Sequence, residues 1–219
     1  MDKPEEKFEK FCKNRKWKTY KIPRLPNIKT PDYFVVADNQ IFIIEVKILY
    51  ESKPRDRKDI EKIEINGKII GQSGDYNKEI GSIIKKINGA NQQLKTTASF
   101  NVPQILIIYS TRKFVPLNKN ILLKAMYGKV FQRLRIKTSR DGSKNASSLP
   151  PLITDRTLRK DKNTFISAVA IPNNKNGMFV LHNLWANILL PVSVFNKEND
   201  INYIPEEIRF KEIKFEKKK

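Results

Sequence analysis

The stretch that decides the fold is Thr30-Pro31-Asp32-Tyr33-Phe34-Val35-Val36-Ala37-Asp38-Asn39-Gln40-Ile41-Phe42-Ile43-Ile44-Glu45-Val46-Lys47. Two apolar, β-branched runs flank a short polar turn, the pattern of a β-hairpin. Side chains alternate along the second run. Ile41, Ile43, Glu45 and Lys47 fall on one face, and Phe42, Ile44 and Val46 on the other. A carboxylate and an ammonium therefore end a strand that otherwise reads as buried, where charge is costly unless paired or bound to a metal. Pro31-Asp32 places a second carboxylate at the start of the neighbouring strand. Two acids and one lysine can converge at one point of a sheet.

Outward from the hairpin, the flanking segments read as an α/β unit. Residues 4–16 predict a helix, with Pro4 in its first turn and Glu5 and Glu6 at its positive end. Glu5, Phe8, Glu9 and Cys12 share one face of it. Residues 17–22 predict a short edge strand. Residues 51–79 are polar and charged, densest over Arg55 to Lys62, and Ile65-Asn66-Gly67-Lys68-Ile69 suggests a small hairpin. This region reads as an excursion from the sheet, either a loop over the site or a flap facing DNA. Residues 79–98 predict a second helix, with a stripe through Ile80, Ile83, Ile84, Ile87, Ala90, Asn91 and Leu94. The continuous apolar run Ile105-Leu106-Ile107-Ile108-Tyr109 predicts a strand buried on both faces. Strand, long helix and buried strand form a crossover unit, so the sheet is parallel or mixed in part.

The later chain continues the alternation. Residues 118–127 predict a third helix ending at Gly128. Val130, Leu134 and Ile136 alternate with Phe131, Arg133 and Arg135, a strand with a basic outer face. A polar segment rich in Ser, Gly and Asn spans residues 138–151. Residues 164–171 and 178–182 predict two strands joined by the turn Asn173-Asn174-Lys175-Asn176-Gly177. From Lys211 the chain reads as a frayed, Lys-rich tail. No repeat or sharp boundary divides it, so residues 1–219 are expected to form one domain.

Charge points to a partner. The 219 residues carry 43 Lys and Arg against 23 Asp and Glu, a net of +20, with 39% hydrophobic residues. Such a balance suggests a polyanion, nucleic acid before an acidic membrane. An A/T-rich coding bias also raises Lys, of which there are 32, together with Asn and Ile. Yet residues 111–162 hold fourteen Lys or Arg, three Asp and no Glu, an asymmetry that uniform bias does not produce. Arg133, Arg135 and Lys137 form a one-sided basic ladder there, and Arg112, Lys113, Arg156, Arg159 and Lys160 add to it. Such groups hold phosphates without reading bases. No amphipathic helix with an aromatic face supports a membrane surface.

Other signals narrow the class. The single Cys12 excludes an intramolecular disulfide and a Cys-based zinc site within the chain. The single His182 excludes a two-His HNH-type site. There is no Gly-rich phosphate loop, no apolar h-region at the N-terminus and no run of membrane-spanning length. A soluble protein of a reducing, cytoplasmic compartment, prokaryotic or viral, is expected.

Pro31-Asp32 followed by Glu45-Val46-Lys47 across a short hairpin resembles the active-site signature of the PD-(D/E)XK nuclease superfamily. That superfamily includes restriction endonucleases, Holliday junction resolvases and RecB-type nucleases. The resemblance covers residues 4–110, and Ala90-Asn91-Gln92-Gln93-Leu94 is similar to the Gln-Leu helix that follows the motif in many members. His182-Asn183 resembles a pattern near the end of many members, and both residues read as structural or as lining the substrate groove.

The resemblance implies a restriction-endonuclease-like core, a central mixed β-sheet flanked by helices with extra C-terminal strands. Residues 1–110 would be the catalytic core and 111–219 a basic, sheet-extending part. It implies a Mg²⁺-dependent endonuclease acting on DNA, with Mn²⁺ able to substitute, in restriction, defence or a mobile element, and a homodimer as one arrangement. Mg²⁺ takes hard oxygen ligands and keeps several waters, so Asp32, Glu45 and the Val46 carbonyl suffice. Lys47 would position water or stabilise transition-state charge. Glu5, or else Glu9, would complete the site from the first helix, and Gln93 is a further accessory. Two other readings stay open: a weakly active or inactive DNA-binding subunit of the same fold, and a structure-selective or RNA-directed nuclease.

Overall fold

The computed structural model describes residues 4–50, 61–65, 68–73, 76–111, 117–138, 144–154, 157–173, 175–206 and 209–214. Helix α1 is Pro4–Asn14, and strand β1 is Lys18–Lys21. The hairpin is β2, Tyr33–Ala37, and β3, Gln40–Leu49. Its turn is the pair Asp38-Asn39, with φ of 47° and 62°. Two successive positive φ values give the type I′ geometry that matches strand twist, and Asp and Asn tolerate it. Ala37 thus pairs with Gln40 and Tyr33 with Ile44.

Helix α2, Tyr76–Lys95, crosses over to β6, Gln104–Ser110, which lies parallel to β3. Between β3 and α2, β4 (Glu61–Ile65) and β5 (Lys68–Ser73) form a separate hairpin, as the Asn66-Gly67 signal predicts. Most of the charged run from Arg55 lies outside the described residues. Helix α3, Lys119–Tyr127, is capped by Asn118, whose side chain accepts from the amides of Asn120 and Ile121. It ends at Gly128, where φ is 82°.

Strand β7, Lys129–Thr138, and β8, Lys144–Thr154, form a two-stranded ribbon apart from the main sheet. The sequence suggests a polar segment after residue 138, but much of it is strand. Its two prolines explain the difference. Arg133 pairs with Leu149 and Phe131 with Leu152, so Pro150 and Pro151 fall together at a register shift, where the ladder needs no donor from them.

The chain then returns to the main sheet through β9 (Ala168–Pro172), β10 (Met178–His182), β11 (Ile201–Glu206) and β12 (Arg209–Lys214). The strand expected at 164–171 begins four residues later. Residues 211–214, read from sequence as tail, belong to β12, paired antiparallel to β11. Gly177 is required in the turn before β10, since a Cβ there would stand 2.0 Å from the Asn199 carbonyl oxygen.

The result is an α/β architecture around one eight-stranded mixed sheet, ordered β1-β2-β3-β6-β9-β10-β11-β12. Alternate side chains feed two cores. Ile43, Leu106, Ile108 and Val169 pack with α2 and α3 on one face. Phe42, Ile44, Ile105 and Ile107 pack with Phe8 and Cys12 of α1, Trp17 and Phe195 on the other. Strand β6 is buried on both faces, as its unbroken apolar run predicts. Helix α1 is also tied to the distal chain. Arg15 makes two 2.6 Å hydrogen bonds to the carboxylate of Asp200, which accepts further from the amides of Met178 and Lys197. Among the described residues, no helix is long and apolar enough to cross a membrane.

Candidate active site

Asp32 immediately precedes β2, and Glu45 sits within β3 beside its antiparallel partner. The amide of Asp32 donates to the Ile44 carbonyl at 3.2 Å. The amide of Val46 donates to Asp32 Oδ2 at 2.8 Å. The hairpin ladder itself therefore brings Asp32 against the Glu45-Val46-Lys47 segment.

Glu45 is fully buried, although the face it shares is not uniform: Ile43 is enclosed and Ile41 is 42% exposed. The face becomes interior only where α2 covers it. Lys47 Nζ donates to Glu45 Oε1 and to Gln93 Oε1. Gln93 in turn donates to the Thr30 carbonyl at 3.0 Å. One amide on α2 thus fixes both the lysine and the chain entering Asp32. The second Glu45 oxygen, Oε2, is buried without a hydrogen-bond partner. Burial pushes the Glu45 carboxyl up to about 7; the neighbouring Asp32 adds to the rise, and Lys47 opposes it.

These groups open into a cleft of about 630 Å³ whose walls include Glu5, Asp32, Glu45, Val46, Lys47 and Gln93. Sequence reasoning missed three cations in the same walls: Arg24, Lys29 and Lys86. Lys86 lies seven residues before Gln93, hence on the same helical face, and Arg24 and Lys29 flank the loop leading to Asp32. Lys86 was readable by helical spacing, and Arg24 and Lys29 by their nearness to Asp32 in the chain.

The first helix places its two candidate acids differently. Glu5 lines the cleft. Among the described residues, however, no group of three or more His, Cys, Asp or Glu side chains could hold a metal ion, so Glu5 does not join Asp32 and Glu45 as a third close ligand. Glu9 is committed elsewhere. It accepts from the Tyr33 hydroxyl at 2.8 Å and pairs with Lys21 at 3.0 Å, contacts that hold its carboxyl below the usual range.

His182 and Asn183 are not in the cleft walls. His182 Nε2 meets Asn202 Oδ1 at 2.8 Å, and burial lowers the imidazole's basicity. Asn183 donates to the Ile166 carbonyl at 2.8 Å and accepts from the Trp185 amide. Of the basic candidates, Arg133, Arg135 and Lys137 occupy alternate positions of β7 in the ribbon. Arg159 and Lys160 are exposed, and Arg159 pairs with Asp161 at 2.9 Å. Arg112, Lys113 and Arg156 lie outside the described residues.

Compared with known protein families, curated proteins and solved structures, the chain matches none of them.

Proposed function

We propose that the protein is a divalent-metal-dependent nuclease that hydrolyses DNA phosphodiester bonds at Asp32, Glu45 and Lys47. One observation carries the reading: the buried Glu45 Oε2 has no partner while its carboxyl stands against a second carboxylate. Two crowded acids and an orphaned oxygen suit a hard divalent cation, which neutralises the repulsion and accepts the free lone pair. Asp32 and Glu45 would hold it, with the Val46 carbonyl as a further oxygen and water completing the set. When bound, the cation supplies charge neutralisation at the scissile phosphate and lowers the pKa of water.

The chain's own groups do the rest. Asp32 is oriented by the Val46 amide, which holds its carboxylate against Glu45. Lys47, held at the cleft wall by Gln93, places a positive charge beside the carboxylates. There it can stabilise charge gathering on the phosphate or orient the attacking water. Arg24, Lys29 and Lys86 surround the same cleft and would position the backbone of the substrate.

The test is incubation with supercoiled, linear and branched DNA, and with RNA, in Mg²⁺, Mn²⁺ or neither. Metal-dependent cutting of DNA is expected, lost in both Asp32→Ala and Lys47→Ala while DNA binding persists. Cutting that survives both substitutions would overturn the mechanism.

A further inference from the structure

The loop before Asp32 carries an apolar feature that phosphate binding does not explain. Leu25 and Ile28 flank a tight turn of Pro26 and Asn27, with Asn27 at φ 64°. Proline followed by a left-handed residue fits a type II turn. The two aliphatic residues are bridged antiparallel, with the Ile28 amide donating to the Leu25 carbonyl at 3.3 Å. Bridged partners project to the same side. Leu25 is 51% and Ile28 50% exposed, and both line the cleft that holds Asp32 and Glu45.

Single exposed apolar residues are ordinary. A paired set on a braced tip is not. The loop is closed at its base, where Thr30 Oγ1 donates to the Pro23 carbonyl at 3.3 Å. Helix α2 holds it from behind, through Gln93, which donates to the Thr30 carbonyl at 3.0 Å. Two prolines stiffen it further. Arg24 and Lys29 border the pair with positive charge, so the surface suits an anionic partner with apolar faces, not an apolar protein segment. Nucleic-acid bases have such faces. Leu and Ile enter between base steps as wedges by unstacking them, which costs least where the strands are already unpaired.

We infer that Leu25 and Ile28 form a wedge against unstacked bases, so that the substrate is nucleic acid with locally unpaired strands, such as a branch or a splayed end. This rests on the nuclease reading of the adjoining carboxylates for its orientation, with the opened step held at the wedge and the backbone led over Asp32 and Glu45.

The test uses the full chain without divalent ions, so that binding is read independently of cleavage. Probes of one sequence are a fully paired duplex and the same duplex with splayed arms, each carrying 2-aminopurine at the junction. Wild type should bind the splayed form at least about tenfold tighter, with increased fluorescence as the base unstacks. Leu25→Ser with Ile28→Ser should bring the two affinities within about twofold while leaving the paired duplex unchanged. Both residues are half exposed, so the core is untouched. As a second measurement, Arg24→Glu should weaken both forms alike and reduce the salt slope. A wild type that binds both forms equally, or a double variant that keeps the preference, overturns the wedge. A protein that shows the preference yet cuts nothing in Mg²⁺ or Mn²⁺ supports the wedge and overturns the hydrolytic reading instead.

Discussion

Two buried polar clusters sit in the same sheet, and they are finished differently. At β10 and β11, His182 meets Asn202 at 2.8 Å, and Asn202 Nδ2 donates to the Phe195 carbonyl at 2.8 Å. Asn183 beside them both donates and accepts. At β2 and β3, Glu45 is equally enclosed, yet one of its oxygens has no partner and an acid stands beside it. A buried polar group left incomplete costs stability. The first cluster resembles a structural rivet; the second leaves one carboxylate oxygen that the chain does not satisfy. That contrast separates two sets of polar residues that looked alike as sequence.

The largest expected effect breaks the second cluster and leaves the first intact. Asp32→Ala and Lys47→Ala should each lower cleavage by about a hundredfold or more, the scale of losing one transition-state contact. Asp32→Ala relieves the crowding at Glu45 and should hold the thermal midpoint, while Lys47→Ala strips a partner from that buried carboxylate and should lower it. Nuclease assays alongside thermal melts check both halves. Next is the rivet: Asn202→Ala strips partners from His182 and the Phe195 carbonyl. It should cost about 2–4 kcal/mol in chemical denaturation without altering the metal requirement of any surviving activity.

Glu45→Gln sharpens the contrast in the other direction. The carboxyl is raised to about 7 in the folded state, from an ordinary 4.5. The folded protein therefore holds this proton more tightly than the unfolded chain does. The associated stability is full below pH 4.5 and is lost as pH rises through 7. Gln cannot ionise, so the variant should be more stable than wild type by about 1–3 kcal/mol at pH 8, with the gap closing towards pH 4.5. A gap that is flat with pH would mean that Glu45 is not the titrating group. The smallest effect concerns metal alone. Because Glu45 must lose its proton, apparent Mn²⁺ affinity should rise by about tenfold per pH unit up to about 7 and then level off. Calorimetry across that range checks it, and uptake without a pH slope would place the ion elsewhere.

Much of this was legible because local pattern and tertiary environment agree. The hairpin, the α2 stripe and the unbroken run of β6 each state their burial in a few residues. What failed to show was decided elsewhere. The two prolines of β8 are tolerated by a register shift that only its partner reveals. Lys-rich β12 reads as tail because its single partner, β11, supplies the reason for it to be a strand. At the site, the motif marked Asp32, Glu45 and Lys47, and helix context marked Gln93. Glu9 shared a face with Glu5, but its commitment to Tyr33 and Lys21 depends on how β1 and β2 approach α1. The Asn202 partner of His182 lies twenty residues downstream on β11, a strand that the sequence reading did not place.

The clamp between Arg15 and Asp200 closes a very long loop. These two residues are 185 positions apart, and Asp200 also holds the amides of Met178 and Lys197. Joining partners so far apart costs more chain entropy than the local packing of Phe8 and Cys12 on the hairpin. Glu5 rides on the helix that ends beside Arg15, so a distant segment helps to hold the wall that Glu5 gives the cleft.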